Sequence, residues 1–185
     1  RTDTGIRIST AAAGAQSMDF TVDFPNPVNP PTPGWHQDEA GTWTYVIDDG
    51  TLATGWQDIN GSHYWFDEAG SMATGWKQLD GTWYYLQSWG GTALGWASID
   101  GSWYWFDANG AMATGWKQLD GSWYYLQSWG GAAVGWQQVD GAWYHFDASG
   151  VMQTGWLYSD DSWYYLNADG AMVTGWCEID GSWYY

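Results

Sequence analysis

Tryptophan stands at two fixed spacings along this chain, and aromatic faces set on a regular frame can hold a cation. A Gly-Trp pair recurs with Trp35, Trp56, Trp76, Trp96, Trp116, Trp136, Trp156 and Trp176, the first interval being twenty-one residues and the other six twenty. A second ladder follows eight residues after Trp35 and seven after each of the others: Trp43, His63, Trp83, Trp103, Trp123, Trp143, Trp163 and Trp183. The face of an aromatic ring carries negative potential, and each ring over a cation contributes about 0.5–2 kcal/mol. A quaternary ammonium has no N–H to donate, so ring faces alone can hold it. Two Trp rings of one repeat and a ring of the next would form an open-sided aromatic box. Part of the same aromatic surface must also serve as core, because stacked rings stabilise a thin structure simply by covering area.

Other chemistries find little support. His36, His63 and His145 fall in no metal-ligand spacing. Ser residues such as Ser62, Ser102, Ser122 and Ser182 follow turn glycines, and no Ser-His-Asp arrangement is suggested. Acidic pairs such as Asp48-Asp49 and Asp160-Asp161 read as turn residues, and they lack an EF-hand pattern. No catalytic residue, metal or cofactor is therefore expected. Twenty-one acidic residues against four basic ones give a net charge of −17, which excludes a phosphate-binding surface for nucleic acid and favours cationic ligands. No apolar run approaches the about 20 residues that span a bilayer as a helix, so no membrane insertion is expected. The single Cys177 allows no internal disulfide and reads as a small buried thiol.

The elements that position the rings follow from the repeat. In Gly75–Leu94, Trp76-Lys77-Gln78-Leu79 reads as a strand, Asp80-Gly81 as a turn and Thr82-Trp83-Tyr84-Tyr85-Leu86 as a second strand. Asp-Gly suits a two-residue type I′ turn, whose central residues both need positive φ. The dipeptide recurs at Asp100-Gly101, Asp120-Gly121, Asp140-Gly141 and Asp180-Gly181, with Asn60-Gly61 equivalent and Asp160-Asp161 poorer. Leu79 then faces Thr82, Gln78 faces Trp83 and Trp76 faces Tyr85. Side chains alternate between strand faces, so Trp76, Trp83 and Tyr85 share one face while Tyr84 and Leu79 share the other. A lone hairpin is marginal in water, but copies stacked along an axis bury one another. The predicted fold is all-β: a β-solenoid of about eight stacked two-stranded hairpins of roughly twenty residues each.

The repeats occupy residues 34–185, the last of them incomplete. Before them, residues 25–33 hold all five prolines and read as a semi-rigid linker. Residues 1–24, with Gly5–Ile8 and the alternating Phe20–Phe24, read as docked strands or the tail of an upstream β domain, to which an enzymatic activity could belong. A forty-residue superperiod overlies the repeat. Gly75–Leu94 and Gly115–Val134 share Tyr-Tyr-Leu-Gln-Ser-Trp-Gly-Gly, which adds Trp89 and Trp129. Connector methionines Met72, Met112, Met152 and Met172 read as gap-fillers or as a fourth wall of a box. This alternation predicts two kinds of site on different sides of the solenoid.

The run Thr74-Gly75-Trp76-Lys77-Gln78-Leu79-Asp80-Gly81-Thr82-Trp83-Tyr84-Tyr85-Leu86 closely resembles the choline-binding, or cell-wall-binding, repeat of Gram-positive surface proteins, and the resemblance covers residues 34–185. It implies an extracellular, cell-wall-associated protein attached non-covalently to choline on teichoic or lipoteichoic acid, with choline between consecutive repeats. It also implies that each box takes the Gly-Trp tryptophan, the first triplet aromatic, and the corresponding aromatic of the following repeat. Carried over, the boxes are Trp76/Trp83/Trp103, Trp96/Trp103/Trp123, Trp116/Trp123/Trp143, Trp136/Trp143/Trp163 and Trp156/Trp163/Trp183. His63 breaks the ladder, so Trp35/Trp43/His63 and Trp56/His63/Trp83 are expected to be poor boxes, since an imidazole protonating near pH 6.5 repels a cation. Those N-terminal units read as caps. Alternative readings of the same repeats are a glucan- or other carbohydrate-binding module and a structural stalk or homodimer interface.

Overall fold

The computed structural model describes residues 32–185, so the strands expected within residues 1–24 and nearly all of the proline linker lie outside the described residues. Those described residues form sixteen strands paired into eight antiparallel hairpins, each its own two-stranded sheet. Hairpin 1 joins Gly34–Gln37 to Trp43–Val46, hairpin 2 Gly55–Ile59 to Ser62–Phe66, and hairpin 3 Gly75–Leu79 to Thr82–Leu86. Hairpins 4, 5 and 6 join Gly95–Ile99 to Ser102–Phe106, Gly115–Leu119 to Ser122–Leu126, and Gly135–Val139 to Ala142–Phe146. Hairpins 7 and 8 join Gly155–Ser159 to Ser162–Leu166 and Cys177–Ile179 to Ser182–Tyr184. The fold is the all-β stack of hairpins that the repeat predicts.

Turn chemistry sets the register. Asp80 and Gly81 have φ of 48° and 81°, the left-handed pair a type I′ turn demands. Leu79, Gln78 and Trp76 accordingly face Thr82, Trp83 and Tyr85. Asp160 and Asp161, with φ of 50° and 59°, make the same turn without glycine, where an L-residue is disfavoured. Hairpin 1 differs. Its loop runs from Asp38 to Thr42, and the Asp38 carboxylate accepts from the Ala40 and Thr42 amides at 3.0 and 2.7 Å. The longer loop accounts for the spacing of eight between Trp35 and Trp43.

Each hairpin contributes very little core of its own. Val46, Phe66, Leu86, Phe106, Leu126, Phe146 and Leu166 end successive second strands and are almost wholly buried, in a single file along the stack. Burying each such side chain contributes about 1.5–3 kcal/mol. The connectors then tie neighbours together through the backbone. The Met112 amide donates to the Trp83 carbonyl of the preceding hairpin at 2.8 Å, and the Ala113 amide donates to Trp105 of its own hairpin at 2.8 Å. The pair repeats along the chain, as Met72 to Trp43 with Ala73 to Trp65 and as Met152 to Trp123 with Gln153 to His145.

Aromatic boxes as the candidate ligand-binding site

The hairpins stack with the face carrying Trp76 and Trp83 turned toward the opposite face of the next hairpin. That opposite face carries the middle aromatic of the next triplet, not the first. Trp76 and Trp83 meet edge to face with centroids 6.2 Å apart at 86°, and the ring set against Trp76 from hairpin 4 is Tyr104, at 4.8 Å. Trp103 belongs to the same face as Trp96 and looks onward along the stack. The ring that joins Trp76 and Trp83 is thus Tyr104 and not Trp103, and Tyr124, Tyr144, Tyr164 and Tyr184 likewise stand against Trp96, Trp116, Trp136 and Trp156. Strand parity is the physical reason.

Four odd-numbered hairpins repeat this geometry. Trp35–Trp43, Trp76–Trp83, Trp116–Trp123 and Trp156–Trp163 lie 6.2, 6.2, 6.3 and 6.4 Å apart at 84–86°. Tyr64, Tyr104, Tyr144 and Tyr184 stand 4.8–4.9 Å from the first Trp of each pair. In the even hairpins Trp56, Trp96 and Trp136 meet Tyr84, Tyr124 and Tyr164 at 4.8–4.9 Å. Trp103, Trp143 and Trp183 are exposed on these hairpins, with Trp183 and Tyr184 of hairpin 8 near the end of the chain. Trp163, beside Trp156, is also exposed, and Tyr158 lies across it at 5.2 Å.

Two further walls complete the first two odd boxes. A cleft of about 400 Å³ is lined by Trp35, Trp43, Tyr64, Met72 and Trp89. A second, of about 360 Å³, is lined by Trp76, Trp83, Tyr104, Met112, Ser128 and Trp129. Each box therefore draws on three consecutive hairpins. Trp89 and Trp129 lie edge to face on Tyr64 and Tyr104, both at 5.8 Å. Their rings fold over Gly91 and Gly131: a Cβ on either would fall within 2.0 Å of the indole. Gly90 and Gly130 likewise leave room for the Met72 and Met112 thioethers. The sequence signal for these walls was Trp-Gly-Gly itself. Phe66, Phe106 and Phe146 lie 5.8–5.9 Å from Trp35, Trp76 and Trp116, so the Phe/Leu alternation of the core follows the box alternation.

His63 is not in the first box. Tyr64 takes the place expected for it, and the N-terminal unit is as fully walled as the next. His63 pairs across its own hairpin with Asp58, and its Nδ1 contacts the Asp58 carboxylate. It stands where hairpins 4 and 6 carry Trp103 and Trp143, so the box begun by Trp56 lacks that indole. Burial and the nearby Asp100 charge raise the Tyr104 phenol above its ordinary value. Two lysines meet rings within the stack, Lys77 over Trp65 at 3.9 Å and Lys117 over Trp105 at 4.4 Å. In the next copy both partners change together, to Leu157 and His145. Burial lowers the His145 pKa against the pull of Asp147 and Asp160. Among the described residues no three His, Cys, Asp or Glu side chains converge to hold a metal.

Comparison with known families decides the relationship. The choline-binding repeat matches residues 53–94, 93–134, 133–174 and 159–185, the first three in units of two hairpins that follow the superperiod. The chain belongs to the choline-binding repeat family. Choline binding protein F from Streptococcus pneumoniae, solved with a peptidoglycan analogue, is similar at 36% identity over 81% of this chain and 54% of that one, with a TM-score of 0.76. CbpJ from the same organism gives 37%, 81%, 55% and 0.74. The choline-binding domain of pneumococcal CbpL gives 34% identity over 77% of this chain and 78% of that domain, at 0.60. The chain spans about half the length of the first two. No curated protein sequence matched. The choline-binding repeats make residues 53–185 a binding module.

Proposed function

We propose that these repeats bind choline in the odd boxes Trp35/Trp43/Tyr64, Trp76/Trp83/Tyr104, Trp116/Trp123/Tyr144 and Trp156/Trp163/Tyr184, and thereby hold the protein to choline-bearing teichoic or lipoteichoic acid at the cell surface. The pair of perpendicular Trp rings, repeated four times with a Tyr closing the third side, carries the reading. Ring faces set at right angles about 6 Å apart wrap a compact, roughly spherical trimethylammonium group. A sugar ring asks instead for a flat aromatic platform, which the perpendicular pairs do not offer. The even clefts begun by Trp96 and Trp136, with Trp103 and Trp143 beside them, form a weaker second class, and Trp56 with His63 the weakest.

The energetics suit a reversible anchor. Two or three cation–π contacts at about 0.5–2 kcal/mol each sum to a few kcal/mol, which corresponds to millimolar affinity. Tight attachment then comes from several boxes on one polymer, each bound group raising the effective concentration of the next. Calorimetric titration with choline chloride, against sodium chloride and short dextran, tests the reading. Saturable heat from choline alone, reduced by Trp83→Ala and by Trp123→Ala, is expected; heat from dextran alone would replace the reading with a glycan module.

A further inference from the structure

The third odd box repeats the first two except at one wall. Trp116 and Trp123 stand 6.3 Å apart, Tyr144 lies 4.8 Å from Trp116, and the Met152 amide donates to Trp123 at 2.8 Å. Met152 nests on Gly170 as Met112 nests on Gly130. The connector of hairpin 7 therefore crosses this box as the connector of hairpin 5 crosses the second. Where that connector reads Gln127-Ser128-Trp129-Gly130-Gly131, the later one reads Asn167-Ala168-Asp169-Gly170-Ala171. An exposed Asp169 holds the rung of the Trp129 indole, and Ala171 replaces the glycine that such an indole must lie on. Asn167 completes the exchange. Its side-chain oxygen accepts from the Asp169 and Ala171 amides at 2.9 and 3.0 Å, whereas Gln127 accepts from the Trp129 indole at 3.2 Å.

We infer that Asp169 shifts the preference of this third box, relative to the first two, from a quaternary ammonium toward one that carries N–H groups, a primary alkylammonium. The inference rests on the aromatic boxes being ammonium sites. A quaternary head is held by ring faces alone, and this box has lost one of those that the first two carry. A primary ammonium offers three N–H donors, and a carboxylate accepts from them in a charge-assisted hydrogen bond. The first two boxes present no acidic side chain in their walls, and their Trp89 and Trp129 suit N-methyl groups. One chain then carries boxes of two selectivities in the same phase of the superperiod.

The experiment follows the indole N–H resonances of Trp83 and Trp123, assigned by Phe substitution, while choline chloride or ethanolamine hydrochloride is added to the full chain. Trp83 is expected to respond at lower choline concentration than Trp123, and Trp123 to favour ethanolammonium relative to Trp83. Asp169→Asn should weaken ethanolammonium at Trp123 about fivefold, the worth of one exposed charge contact at about 4 Å, and leave Trp83 unmoved. The pair Asp169→Trp with Ala171→Gly should bring choline at Trp123 to the value at Trp83. Equal preferences at both indoles, unchanged by Asp169→Asn, would overturn the inference while leaving the boxes as choline sites. No response of either indole to either ammonium would overturn the box reading itself, and this inference with it.

Discussion

Gly91→Ala removes a wall from the first box without touching an aromatic residue. The Gly91 backbone needs no left-handed φ, and the other connectors, that of Gly131 apart, carry Thr51, Ser71, Ala111, Val151 and Ala171 at this position, so alanine suits the main chain. The added methyl would fall 1.8 Å from the Trp89 indole, a distance no contact tolerates, so the ring must leave Tyr64 and swing into solvent. Trp89 is already half exposed, and its departure costs little of the core. The bound cation loses one ring, about 0.5–2 kcal/mol, or roughly 2- to 30-fold in affinity at that box. Titration with choline should show one class of site weakened by that factor, in a protein whose melting temperature stays within a few degrees. Trp89→Ala should match it, Gly131→Ala should do the same to the second box, and the two glycine variants should be additive. A Gly91→Ala protein that binds as tightly as the parent, beside a weakened Trp89→Ala, would refute the claim that the glycine exists to seat the indole.

Tyr104→Ala should weaken binding at the box of Trp76 and Trp83 by about 2- to 30-fold, the worth of one ring, whereas Trp103→Ala should spare it, as read from the Trp83 indole resonance on titration with choline. Choline at 100 times its dissociation constant should stabilise the fold by about 2.7 kcal/mol for each occupied box, seen as a rise in melting temperature that sodium chloride does not reproduce. The His145 pKa lies below its unfolded value, so the associated stability is present above about pH 6.5 and is lost as pH falls through the lowered folded value. His145→Tyr, the residue found at Tyr85 and Tyr125, should therefore shrink the drop in melting temperature between pH 7.5 and pH 5.5, with His36 and His63 common to both proteins.

The hairpins were legible residue by residue, because Asp-Gly turns and period-two strands are local signals that stacking does not override. The register at Trp76, Gln78 and Leu79 followed from the turn alone. The closing ring was missed for a different reason. Parity had already put Tyr84 on the face opposite Trp83, and hairpins stacked one after another in the same sense present opposite faces to each other. Applied at hairpin 4, that argument selects Tyr104. The resemblance suggested the first triplet aromatic instead, which set a doubtful His63 where Tyr64 stands against Trp35. The fifth wall was harder to read. That Trp89 of hairpin 3 reaches a box opened by hairpin 1 depends on how far each connector advances along the stack, and no local pattern encodes that distance. Trp89 and Gly91 two residues later did signal a paired requirement, as did the loss of both at Asp169 and Ala171.

A box whose walls come from three successive hairpins has a consequence for how the stack melts. With backbone bonds reaching only one hairpin back, stability behaves as a chain of nearest-neighbour couplings, and an end unit can fray without its second neighbour responding. A ligand seated against Trp35, Tyr64 and Trp89 adds a coupling between first and third units that the empty protein has only weakly. The overlapping second box extends it from the third unit to the fifth. Ligand thus lengthens the distance over which unfolding is cooperative, so that a filled array holds or releases as one body where an empty one peels from its ends.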